Sequence, residues 1–173
     1  MLPERADERF RSAVHAYWGS IFDQLGWAWT YAPPGGDFLL AGRVRVQAIG
    51  TDDPESREFQ VAARQAFKDA PAGQDVLLVG RQALFDGRRR RMYLGRLWRN
   101  GPAYPRIFDP AFVVAGDGIM GLRQDRLGLN VLGDTFDADD DFSQRFPELQ
   151  RRAKQIIWWR VPTPVAIGVL LDA

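Results

Sequence analysis

The sequence predicts an α/β domain in which a mixed central β-sheet is flanked by helices, and three observations carry that prediction. Phe10, Val14, Trp18, Ile21, Phe22 and Leu25 recur at the three-and-four spacing of a core-facing helix. Val76-Leu77-Leu78-Val79 is short and wholly apolar, the composition of a strand buried on both faces. A second amphipathic stretch precedes it, so strand, helix and strand make a right-handed crossover.

In chain order, the first helix is expected over about residues 6–25, ended by Gly26. Trp27 to Tyr31 reads as a strand with its large rings on alternate positions, and Pro33-Pro34-Gly35-Gly36 turns the chain. Phe38 to Leu40 and Arg43 to Ile49, broken by Gly42, form a hairpin or one bent pair. Asp53 is the expected N-cap of the next helix, with Pro54 at its first position. That helix carries Phe59, Ala63, Ala66 and Phe67 on one face and runs to about Ala70, before the Val76–Val79 strand. Asp86-Gly87 is a hairpin signal, and Arg88-Arg89-Arg90-Arg91-Met92-Tyr93-Leu94 carries a basic cluster along a strand or out on the turn. Between Asn100 and Gly133, Pro and Gly punctuate the sequence around the apolar run Phe112–Ala115 and a Gly116-Asp117-Gly118 turn, which predicts irregular connections and short strands. Asp137 to Asp141 lacks the Gly and terminal Glu of a calcium loop and reads as a solvated lead into the last helix. The helix is expected from Pro147 to Trp159, with Leu149, Ala153, Ile156 and Ile157 inward and Arg151, Arg152 and Lys154 largely outward. A terminal strand follows over Val165 to Leu171.

Length and composition bound the class. At 173 residues, 46% hydrophobic and 26% charged, the chain fits one globular domain with a proper core. Within it, a core over about residues 6–80 is followed by a basic hairpin and C-terminal extension over about 81–173. No apolar run spans a membrane and the N-terminal segment lacks a signal peptide's apolar core, so a cytoplasmic protein with no membrane partner is expected. With no cysteine and one histidine, thiolate zinc sites, cysteine nucleophiles and histidine-rich metal cages are excluded within a single chain. No cofactor and no metal are expected.

Residues Phe10 to Gln47 carry a family likeness. Phe10-Arg11-Ser12 opens the helix, Tyr17-Trp18 sits inside it, Tyr31-Ala32-Pro33 follows the first strand, and Asp37-Phe38-Leu39-Leu40 precedes Arg45-Val46-Gln47. This order resembles the PD-(D/E)XK nuclease superfamily, in particular phage and mobile-element members whose first helix reads FRSxxEAxWA. The likeness covers about residues 10–80 and rests on order and spacing. It implies a restriction-endonuclease-like core.

In active members a helix Glu, an Asp and a strand Glu hold Mg²⁺, and a Lys orients the attacking water. The corresponding positions here are His15, Asp37, Arg45 and Gln47, of which only Asp37 is a carboxylate. Positions 45 and 47 share a strand face, so the resemblance places Arg45 and Gln47 beside Asp37 and His15. A cation at position 45 opposes a divalent metal, and the resemblance implies a catalytically inactive relic. Read as residues alone, His15 stands at the edge of the apolar stripe as a boundary histidine, and Asp37 follows Pro33-Pro34-Gly35-Gly36 as ordinary turn chemistry. Arg45 and Gln47 are either the polar face of a half-buried strand or, for Arg45, an internal counter-charge to Asp37.

Net charge is +1, yet its distribution is uneven. Arg81 to Arg106 contains eight arginines and one acid, Asp86, whereas Asp134 to Glu148 contains six acids and one base, Arg145. Arginine's planar fork suits phosphate or carboxylate. Arg88, Arg89, Arg90, Arg91, Arg96 and Arg99 are therefore the candidate nucleic-acid-binding residues, with a solvated charged tip as the plain alternative. Trp98 among them is either a stacking platform or core. Trp158 and Trp159 are adjacent and cannot both face one core, which makes them candidate partner anchors.

Three functions follow as expectations. The first is an inactive nuclease-like domain that binds DNA or RNA, or a nucleoprotein complex, in a phage, plasmid or CRISPR-like defence system. The second is an accessory subunit or inhibitor that binds protein alone, steered by its segregated charge. The third is an active nuclease with a migrated site, combining Asp37 with Asp52, Asp53 or Glu55.

Overall fold

The computed structural model describes residues 10, 12–31, 38–51, 53–116, 119–124, 130–132 and 141–160. Their element order is α1 (Ala13–Gln24), β1 (Trp29–Tyr31), β2 (Phe38–Leu40), β3 (Val44–Ala48), α2 (Arg57–Asp69), β4 (Asp75–Asp86), β5 (Arg91–Trp98), β6 (Asp109–Gly116), β7 (Ile119–Gln124), β8 (Asn130–Leu132) and α3 (Arg145–Arg160). The eight strands lie side by side in chain order in one sheet. Every neighbouring pair is antiparallel except β3 and β4, which run parallel because α2 crosses between them. The result is an α/β architecture with a mixed sheet between helices, as the sequence predicts.

Local chemistry sets each boundary. Ser12 caps α1, its hydroxyl accepting from the His15 N–H at 3.3 Å. Phe10, just ahead of the cap, packs its ring on Trp29, Tyr31 and Phe38 with centroids 5.4–6.3 Å apart. The β2–β3 hairpin turns at Ala41 and Gly42, both at positive φ (49° and 67°), the handedness that matches strand twist. The cap of α2 is Ser56 rather than Asp53, with the Ser56 hydroxyl accepting from Phe59 N–H at 3.1 Å. Asp53 instead closes the turn ahead of it, accepting from Glu55 N–H at 3.0 Å. Pro54 therefore lies in that turn and not at the helix's first position.

Two apolar layers sandwich the sheet. One face meets α1, with Trp18, Ile21 and Phe22 against Phe38, Leu40, Val44, Val46, Leu77 and Val79, and α3 adds Ala153 to the same core. The other face meets α2, whose Phe59, Ala62 and Ala63 pack on Val76, Leu78 and Trp98. β4 is longer than its apolar run suggests and carries an irregularity between Val79 and Leu84. Three side chains satisfy the backbone groups released there: Trp18 Nε1–H donates to the Gly80 carbonyl (2.8 Å), Ala83 N–H donates to Tyr17 Oη (2.9 Å) and Gln150 Nε2–H donates to the Ala83 carbonyl (2.7 Å). The Tyr17 hydroxyl donates in turn to Gln150 Oε1 at 2.6 Å, which joins α1, β4 and α3.

Residues 109–116 and 119–124, within a segment expected as irregular connections and short strands, form the antiparallel pair β6–β7. Their Pro and Gly content misled because Pro110 and Gly116 sit at the first positions and end of β6. β4 also passes through residues 80 and 81, so the expected core and extension share one continuous sheet. The expected strand over 165–171 lies outside the described residues. No helix among the described residues is long and apolar enough to cross a membrane.

Candidate nucleic-acid interface

His15 is buried in the first turn of α1. Its Nδ1 lies 2.6 Å from Tyr31 Oη, and its ring meets the Tyr31 and Phe38 rings edge-on at 5.6 and 6.0 Å. Phe38 is on the α1 face of the sheet, where it pairs with Val46. Arg45 and Gln47 are half-buried on β3 and pair in parallel register with Val76 and Leu78, which belong to the α2 face. Arg45 and Gln47 thus share a face, as expected, but it is the opposite face from His15. The expected grouping of His15 with Arg45 and Gln47 does not form, because the apolar alternates Val44 and Val46 take the α1 side. Asp37 and Asp52 lie outside the described residues, and with them any Asp37–Arg45 pair. Among the described residues no three His, Cys, Asp or Glu side chains gather in a metal-holding group.

The basic hairpin forms as the Asp86-Gly87 signal predicts. Asp86 pairs with Arg91 at the ends of β4 and β5, and its Oδ1 accepts from Arg88 N–H and Arg89 N–H at 3.0 and 3.3 Å. Arg90 takes a positive φ of 55°. Arg88, Arg89 and Arg90 are exposed at the tip and Arg91 is half-buried beside it. The acidic segment meets this tip within the same chain: Arg90 Nη1 lies 3.1 Å from Asp141 Oδ2, and Phe142 N–H donates to the Arg90 carbonyl at 3.0 Å. The Asp141 carboxyl is held below its usual range, first by the hydrogen bonds from Ser143 and last by the Arg90 charge. Part of the charge segregation that predicts intermolecular steering is therefore spent on an intramolecular contact.

Arg96 and Arg99 do not join the tip. Arg99 is mostly buried, with Nε 3.1 Å from Asp75 Oδ2 and its guanidinium 4.7 Å over the Tyr104 ring. Asp75 Oδ1 also accepts from Asn100 N–H at 2.9 Å, so this pair anchors the end of β5 to the start of β4. Arg96 is half-buried, with Nη1 3.5 Å from the Phe108 carbonyl. Trp98 is core: buried, with Phe67 edge-on at 4.8 Å. These three lie at and just past the end of β5 near α2, about 20–30 Å of strand from Arg90 at ~3.3 Å per residue. Trp158 and Trp159 fall on the last turn of α3, their side chains outside the described residues.

The strands add basic and aromatic groups that local sequence did not single out. Leu84, Tyr93, Phe112 and Arg123 are successive cross-strand partners on β4, β5, β6 and β7. They share the face opposite α1, because their neighbours Ala83, Met92, Leu94, Val113 and Leu122 lie in the α1-side core. Arg89 and Arg91 stand over the Phe112 ring at 5.1 and 6.0 Å, and Tyr93 meets that ring edge-on at 5.6 Å. The sequence signal for them is the alternation of Met120 and Leu122 against Arg123, which the surrounding Pro and Gly residues obscure.

No family model, curated protein or solved structure matches the chain.

Proposed function

We propose that the protein is a catalytically inactive, nuclease-like domain that binds nucleic acid through the β4–β5 hairpin. The carrying observation is the tip itself, where Arg88, Arg89 and Arg90 are exposed on a short turn held by Asp86. Guanidinium groups on a hairpin turn closed by Asp86 suit phosphate oxygens, and they present charge at a lower ordering cost than a free loop. The order helix, three antiparallel strands, crossover helix and parallel strand supports the restriction-endonuclease-like reading. The composition of β3, Val-Arg-Val-Gln-Ala, supports inactivity, since neither of its faces carries a carboxylate to share a metal with Asp37.

The test pairs binding and cleavage on the purified chain, with single- and double-stranded DNA and RNA. Binding that weakens steeply with salt, reduced by Arg88→Ala/Arg89→Ala, with no cleavage in Mg²⁺ or Mn²⁺, is expected. Unchanged affinity in that double variant refutes the hairpin. Cleavage abolished by Asp37→Ala refutes the inactive reading.

A further inference from the structure

We propose that the bound polymer is single-stranded and lies across the sheet face behind the hairpin, along the row Leu84, Tyr93, Phe112 and Arg123. The inference rests on the hairpin reading above and extends it to residues on β5–β7. Four directly paired positions on four neighbouring strands make a row about 14 Å long at ~4.8 Å per strand. The helix α2 packs on Val76, Leu78 and Trp98, and none of the four row residues belongs to that contact cluster. Leu84, at 41% exposure, is one of two large apolar side chains most open to solvent among the described residues. Tyr93 beside it is half-buried, and Phe112 lies beneath the guanidinium groups of Arg89 and Arg91. Arg123 closes the row.

Charge and shape select the occupant. Arg89, Arg91 and Arg123 surround one aromatic pair and place three cations on one face of the sheet, which complements a polyanion. Each of these arginines also interacts within the protein, but a guanidinium has five N–H donors and can serve a phosphate in addition. Leu84 and the half-buried Tyr93, beside the guanidinium groups that cover the buried Phe112 ring, suit unpaired bases, whose faces stack on Tyr93 and on those guanidinium planes. A duplex keeps those faces closed and reaches only the charges.

The experiment measures affinity of the full chain for fluorescein-labelled oligo-dT and for a duplex of equal length, across a salt series. Variants are Arg88→Ala, Arg123→Ala, Arg123→Lys and Tyr93→Leu, each checked by thermal melting. The single strand is expected to bind more tightly than the duplex. Arg123→Ala is expected to lower affinity several-fold and to flatten the log–log salt slope by about 0.7, the loss of one phosphate contact, while Arg123→Lys keeps the slope. Tyr93→Leu is expected to weaken oligo-dT binding about fivefold or more with the slope unchanged, because stacking releases no counterion. If Arg88→Ala weakens binding while Arg123→Ala and Tyr93→Leu do not, the row is wrong and the hairpin reading stands. Preference for the duplex overturns the single-stranded assignment, and absence of any binding by the unaltered chain overturns both.

Discussion

Replacing Tyr17 by Phe removes one oxygen from the point where α1, β4 and α3 meet. The buried hydroxyl accepts from Ala83 N–H at 2.9 Å and donates to Gln150 Oε1 at 2.6 Å, while Gln150 also holds the Ala83 carbonyl. Without it, the Ala83 N–H sits in the irregular stretch of β4 with no strand partner, and a buried unsatisfied donor costs about 1–3 kcal/mol. The Gln150 side chain is half-buried and can turn towards water, so its loss adds less. A total near 2 kcal/mol is expected, which in a chain of this size lowers Tm by about 4–8 °C. Urea and thermal unfolding measure the change, and hydrogen exchange at Ala83 reads the cause. A destabilisation under about 0.5 kcal/mol with the Ala83 amide still protected would refute the claim that Tyr17 holds the bulge. The same residue gives an alkaline signature. Burial, the largest influence, pushes the phenol well above its ordinary value of 10.0 despite the opposing hydrogen bonds. Its folded pKa exceeds its unfolded one, so its contribution is whole below pH 10 and is lost as pH rises beyond that. Tyr17→Phe should therefore lose stability less steeply than the unaltered protein above pH 10.

Gly95→Ala should abolish soluble folded protein or cost more than about 3 kcal/mol, because a Cβ there would stand 2.1 Å from the Leu78 carbonyl oxygen at a φ of +156°; circular dichroism and soluble yield check it. Asp75→Ala leaves the mostly buried Arg99 without its carboxylate and should cost about 3 kcal/mol, while Asp75→Leu/Arg99→Met should cost less, both read by urea unfolding. Hydrogen bonds from Arg151 and then Arg152 hold the exposed Glu148 carboxyl at about 2, below its ordinary 4.5. Its contribution is whole above pH 4.5 and lost as pH falls towards 2, so Glu148→Gln should narrow the difference in Tm between pH 6 and pH 3.

What was legible depended on how far each signal reaches. The three helices, the β2–β3 hairpin and the crossover were legible because stripes and turns are local, although the cap of α2 is Ser56 where Asp53 is expected. Ser12 shows the limit of such signals: in the resemblance it belongs to a family motif, while in the fold it is an N-cap serving His15 N–H, which any helix start can use. The β6–β7 pair was not legible, since Pro110 and Gly116 look like breakers until their edge positions are known. Arg88–Arg91 are legible as a charge run, but sequence proximity alone does not separate Arg99 from them. Its buried carboxylate partner is Asp75, 24 positions away, and no local pattern announces it. The row ending at Arg123 exists only through three strand pairings.

The parity of β3 decides whether this fold could place metal-binding carboxylates beside His15. Alternation correctly puts Arg45 and Gln47 on one face, but two alternating sets are present and sequence alone does not say which one meets α1. The fold resolves it through size: α1, the segment ahead of it and the first strands supply Phe10, Trp18, Phe22, Trp29 and Phe38 to one apolar layer, and Val44 and Val46 complete it at 0% exposure. Turning Arg45 and Gln47 to that side would bury a guanidinium and an amide among aromatic rings, at several kcal/mol each without partners. A metal pair near His15 would need carboxylates at Val44 and Val46, in the centre of the core. Val46→Glu should accordingly destabilise the protein by about 3 kcal/mol or more, whereas Gln47→Glu, on the half-buried α2 face, should stay within about 1 kcal/mol. Equal costs for the two substitutions in urea unfolding would show that β3 does not hold this parity.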